Sequence, residues 1–338
     1  MTQINEVQLM HHYTAYTCLT ISENPVLTSL WKEVVPKHAF QHQFLLYGIF
    51  AIAAWHKLRD QHDNPVDLIY TANLYQQKAL PIYINLLSNI DKENCHALFA
   101  FSQLIVAISY SRLRLGIDEK HIVQQWIITA IVEIFGQLKG ALVVAEKASA
   151  WLCDGDLKPM MGAWPELRLP QRSLTRNPGI KALLSLSDHI SGQIDDGVES
   201  KGRVESLLST IQLLYTFFLE DCESADRRNK IIGLPVFFDT EYINLLRAQD
   251  DASLVILSYY GVALHQIRHV WYLDGIGAKI VQAIAHLIGP DWSSHLTWPQ
   301  MEVGVLSCNE GIYGLLDASP FLSLITYRTS ISADVCPP

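Results

Sequence analysis

The sequence has no closely spaced cysteines. Its six, Cys18, Cys95, Cys153, Cys222, Cys308 and Cys336, are scattered, and no two stand within ten residues of each other. A zinc cluster needs Cys-x2-Cys pairs whose thiolates converge on the metal, so that module is excluded. No disulfide framework is expected either. Residues 1–8 lack the basic and apolar regions of a signal peptide, and a chain of 338 residues has core enough without staples. Charge is scarce as well. Charged residues make up 17% against 49% hydrophobic, and 25 Lys and Arg face 34 Asp and Glu, for a net charge of −9. The densest basic stretch is Arg227-Arg228-Asn229-Lys230. Phosphate contacts need clusters of Lys and Arg, so no direct nucleic-acid contact is expected.

Other motifs are missing too. There is no Rossmann or P-loop glycine pattern, no Gly-x-Ser-x-Gly elbow and no His-Glu-x-x-His. His265 and His269 have the i, i+4 spacing of metal ligands, but Gln266 follows His265 and no third ligand is suggested. The run Asp195-Asp196-Gly197-Val198-Glu199 superficially fits the magnesium-binding acid box of terpene cyclases. Gly192, Gly197 and Gly202 argue against the rigid helix that such a box requires, and a solvated loop is the expectation. Neither metal nor cofactor is expected. The densest apolar run, Phe44 to Trp55, is too short for a bilayer, so no membrane span is expected.

What is there is helical periodicity. Leu68, Ala72, Tyr75, Ala79, Ile82 and Leu86 form one stripe, with Pro81 inside it. Further helices are expected over Leu9–Ile21, Val26–Val34, Phe44–Trp55, Cys95–Tyr110 with Asn94 as a cap, and Gly179–Ile190. Val204–Asp221 and Phe238–Gln249 complete that series. Asp118–Trp151 reads as the longest helical region, open to breaks at Gly136 and Gly140. Cys153–Pro178 reads as an irregular crossing loop, and Gly192–Gly202 and Arg227–Pro235 as loops. No alternation of strand length repeats. The fold class is all-α: a single large helical domain of about ten to thirteen helices with an internal apolar cavity.

The stretch from Leu254 to Gly304 organises the rest. Leu257, Tyr260, Leu264, Ile267 and Trp271 make one continuous stripe, expected on a helix from Leu254 to Trp271 with Asp250, Asp251 or Ser253 as its cap. Gly275 and Gly277 break it, and a second helix runs from Lys279 to Gly289-Pro290.

Here the sequence resembles a known family. The string Ser258 to His265, Trp271-Tyr272-Leu273, Gly289-Pro290 with Trp292, and Trp298-Pro299 with Glu302 are similar to the regulatory domain of fungal binuclear-zinc-cluster transcription factors, nearest the sterol uptake control branch. His11 to Thr14, Leu19 to Ser22, Trp31 with Val35-Pro36, Ala39-Phe40 and Ala97 to Ser102 follow the same order in the N-terminal half. The resemblance implies an N-terminal tail over residues 1–8, a helical domain over 9–304 and a C-terminal extension over 305–338. It implies a homodimer, a lipophilic small-molecule partner, and a cytoplasmic or nuclear location. The zinc cluster of such factors precedes this domain. No basic cysteine-rich module follows Met1, so the expectation is an excised piece or a chain without that module.

Two functions follow. The first is a regulatory domain that binds a sterol- or terpenoid-like molecule. The second is a stand-alone homologue whose cavity acts as a metal-independent cyclase, isomerase or pericyclase of secondary metabolism. An apolar pocket with a few fixed polar groups suits both. The ligand-binding candidates are Tyr259, Tyr260, His265, Trp271, Phe101 and Tyr47. If the chain is an enzyme, His265 and Tyr260 are the catalytic pair.

Overall fold

Three helices start with the same dipeptide. Asn24-Pro25, Asn64-Pro65 and Asn177-Pro178 each place an amide side chain at the cap and a proline in the first turn. The Asn oxygen accepts the orphan N–H groups of the first turn: Val26 at 2.9 Å, Val66 at 3.0 Å and Gly179 at 2.9 Å. Proline has no N–H to lose there, so the two residues together fix the start.

The computed structural model describes residues 6–59, 64–117, 124–161, 177–193, 198–219 and 227–306. Among them there is no strand, and the fold is all-α. In order, the helices are α1 (Glu6–Ala15), α2 (Pro25–Ser29), α3 (Val35–Gln41), α4 (Gln43–Lys57), α5 (Pro65–Leu86) and α6 (Cys95–Ile117). Next come α7 (Gln124–Lys147), α8 (Ser149–Cys153), α9 (Pro178–Ser191), α10 (Val198–Leu219), α11 (Arg227–Gly233) and α12 (Thr240–Arg247). The last are α13 (Asp251–Gln266), α14 (Ile276–Leu287), α15 (Pro290–Ser293) and α16 (Thr297–Glu302). All belong to one unit, Met1–Val305; the other, Leu306–Pro338, lies outside the described residues except for Leu306.

Two packing centres share one apolar core. α4 packs against α1, α3, α5 and α6. α13 packs against α10, α12, α14 and α16, and α7 joins the halves through α6 and α14. α7 is long and apolar enough to cross a bilayer by length and composition, yet half of its most apolar window is buried inside the fold. Gly136 and Gly140 do not break it.

The structure departs from the sequence reading at several places. A π turn, Leu30–Val34, joins α2 to α3, so one helical path continues past Val34. Asn94 holds the position before α6 and its carbonyl accepts the Leu98 N–H at 2.9 Å, but its side chain accepts from the Asp91 N–H and donates to the Asn89 carbonyl, bracing the turn before the helix instead of capping it. Arg227–Pro235 is helical rather than a loop. The central helix ends at Gln266, five residues before Trp271, because the backbone continues through i→i+3 bonds from Leu264–Ile267 to Leu273–Ile276. His265 and His269 therefore do not share a helix face, and His269 instead lies 2.6 Å from Glu23 Oε1. The expected loop Gly192–Gly202 is helical from Val198, where α10 begins, while residues 194–197 of that loop and acid run, and most of the expected crossing loop, lie outside the described residues.

The turn after α13 lets the chain double back. α14 crosses α13 where Gly261 meets Gly277. A Cβ on Gly277 would stand 2.6 Å from the His265 backbone nitrogen and closer still to the Gly261 carbonyl. Gly275 enters α14 at φ +76°, a conformation that favours glycine.

Candidate functional site

α13 is buried all round from Ala252 to Leu264. Asp250 caps it, accepting the Ser253 N–H at 3.0 Å, and Arg203 Nη2 holds the other carboxylate oxygen at 2.8 Å. The helix carries two adjacent tyrosines with no exposure, and a helix turns about 100° between neighbours, so they face different walls. Tyr259 stacks on Trp298 with ring centroids 5.4 Å apart and donates to the His295 carbonyl at 3.2 Å. Tyr260 meets Tyr110 of α6, hydroxyl to hydroxyl at 3.2 Å, and sits edge-on to Phe135 and Phe238. Burial raises the pKa of both tyrosines, with Tyr110 adding to the rise at Tyr260.

The other candidates occupy different ground. Trp271 donates its indole N–H to Thr20 Oγ1 at 3.1 Å and packs on the His56 ring, 5.0 Å between centroids. His265 has a lowered pKa, first from burial and then from Arg268, and its Nδ1 is buried without a hydrogen-bond partner. Phe101 belongs to a separate aromatic group with Phe44 and Tyr83, under Gly48. Tyr47 accepts the Gln43 amide at 2.7 Å and lies beside Tyr75.

The structure adds residues that the sequence reading left out. A buried polar chain runs from the N-terminal helix to α13. His12 Nε2 and His56 Nδ1 are 3.1 Å apart, and Thr17 Oγ1 is 3.2 Å from the same His56 nitrogen. Burial, then His12 and Arg59, lower His56 to about 4. Across Trp271 and Thr20 comes Arg228, which is 4% exposed. Its Nη2 donates to the Thr20 carbonyl and to the Tyr272 hydroxyl, both at 2.9 Å, and its guanidinium lies over the Tyr272 ring. Tyr272 stacks on Tyr110, which closes the chain on Tyr260. One signal for Arg228 is in the sequence: Arg228, Ile231 and Leu234 lie at i, i+3 and i+6, so a helix there would put a cation on its apolar face.

Chemically, these groups are hydroxyls, imidazoles (those of His56 and His265 with lowered pKa), an indole and one guanidinium. They suit holding and orienting a molecule. Among the described residues, no group of three or more His, Cys, Asp and Glu side chains gathers to hold a metal ion.

No family model matches the chain. It is 25% identical over 310 residues to a Zn(2)-C6 fungal-type transcription factor of Gibberella zeae, covering 87% of this chain and 61% of that protein. It is 30% identical over 102 residues to sterol uptake control protein 2 of Candida albicans, covering 30% of this chain and 14% of that protein. The protein of the same name from Saccharomyces cerevisiae is 21% identical over 303 residues, 84% of this chain and 30% of its own length. The chain thus spans 61% of the first relative and less of the other two. It is similar to fungal Zn(2)-C6 transcription factors and to sterol uptake control proteins, as the ordered motifs imply.

Proposed function

We propose that residues 9–304 form a ligand-binding regulatory domain of the fungal transcription-factor kind, taking a small apolar molecule of sterol or terpenoid type beside α13. The observation that carries this reading is the similarity to a sterol uptake control protein over 84% of the chain. The aromatic group of Tyr260, Tyr110, Tyr272 and Trp271 supports it, because apolar sites with a few fixed polar groups are how small molecules are held. The domain acts as a homodimer in the cytoplasm and nucleus, and the molecule it binds leaves unchanged.

A melting screen against sterols, terpenoids and polyketides tests the reading. A bound ligand raises the melting point, by about 2.7 kcal/mol of added stability at a hundredfold excess over Kd. His265→Ala and Tyr260→Phe are expected to weaken the shift, and the ligand is recovered intact. Recovery of an isomerised product, lost with His265→Ala, would replace binding with catalysis. No shift with any member of the screen overturns the proposal.

A further inference from the structure

Arg228 is the residue that the packing does not explain. An arginine keeps its charge, and burying a guanidinium is costly unless a carboxylate and further acceptors compensate. Arg228 has neither in full. Its hydrogen bonds go through Nη2 alone, to a backbone carbonyl and a phenol. Its Nε is buried with no acceptor. Among the described residues, no carboxylate pairs with it, although acids outnumber bases in the chain. A second orphaned nitrogen, His56 Nε2, lies at the far end of the Trp271–Thr20 bridge. The surroundings are aromatic: Tyr272 under the guanidinium, Trp271 against Tyr272, and Tyr110 behind.

We infer that Arg228 anchors the carboxylate of an acidic apolar ligand. The carboxylate oxygen accepts the Nε–H that the protein leaves unpaired, and the hydrocarbon body lies along Trp271 and Tyr272. This rests on the reading of the chain as a small-molecule-binding domain, and it narrows the ligand to one with an acid group. A neutral sterol alone would leave the charge without a partner.

The test compares decanoate with decan-1-ol, which share an alkyl chain and differ in the head. Binding to the full chain is measured by melting shift and by titration calorimetry, beside the sterol screen. Decanoate is expected to bind about tenfold or more tighter than the alcohol, the size of one charge-assisted hydrogen bond. Arg228→Met is expected to erase that preference while the alcohol still binds. Without ligand, Arg228→Met should melt at or above the parent chain, because an unpaired buried charge has gone. A merely structural arginine gives the opposite pattern: a lower melting point and no change in acid-over-alcohol preference. Should Arg228→Met not fold, Arg228→Gln carries the same expectation for the preference. Equal binding of acid and alcohol by the parent chain overturns the anchor while leaving the apolar reading intact. Absence of binding by acid, alcohol and every sterol overturns both.

Discussion

Tyr110 and Tyr260 share one hydrogen bond in a place without solvent, across 150 residues of sequence. Removing one hydroxyl leaves the other buried and unpaired, which costs about 1–3 kcal/mol, whereas removing both costs little. Tyr260→Phe alone should therefore destabilise more than the double Tyr110→Phe/Tyr260→Phe variant, and a denaturant double-mutant cycle checks this. His56 gives the pH dependence. Its pKa falls from 6.5 to about 4 in the fold, so folding favours the neutral imidazole. Its contribution is fully present above about pH 6.5 and is lost as pH falls through 4, up to about 3 kcal/mol. Melting points recorded from pH 7 down to 4.5 should drop less steeply for His56→Gln than for the parent; equal slopes would show that His56 plays no part in the acid response.

At the scale of elements, the glycines divide into two kinds. Gly277 touches the Gly261 carbonyl and the His265 backbone, which cannot give way as a flexible side chain can. Gly277→Ala should cost about 1–3 kcal/mol by forcing α13 and α14 apart. Gly136 lies on the exposed side of α7, where an added methyl would meet no atom within 4 Å, so Gly136→Ala should add about 0.5–1 kcal/mol. Urea denaturation of the two variants tests the contrast. The same elements mark what the sequence could tell. The helices behind Asn24-Pro25, Asn64-Pro65 and Asn177-Pro178 were legible through their apolar residues, because helical periodicity is local. The end of α13 was not, since neither glycine nor proline occurs between Gly261 and Gly275 and tertiary crossing sets the turn. α11 was hidden because Arg227, Arg228 and Lys230 read as a solvated surface, while the fold buries the middle one. Tyr260 was legible as a polar tip on an apolar helix, but its partner Tyr110 and the Thr20–Arg228–Tyr272 links join distant segments that no local period connects.

For the whole molecule, the excess of acids sets the partner class. At a net charge of −9 and without a strongly basic cluster in the sequence, the chain should not retard duplex DNA at physiological salt. A salt-sensitive electrophoretic shift at micromolar protein would show this to be wrong. The continuous burial of α13 has a consequence for how the fold opens. From Ala252 to Leu264 no residue reaches the surface, and the neighbours α10, α12, α14 and α16 pack against it from separate parts of the chain. Its hydrogen-bonded amides can meet solvent only when those neighbours have left, so local fraying cannot expose them. Deuterium should enter this helix last. The free energy of exchange at Tyr259 and Tyr260 should then equal that of global unfolding, so that one helix reports the stability of all the others.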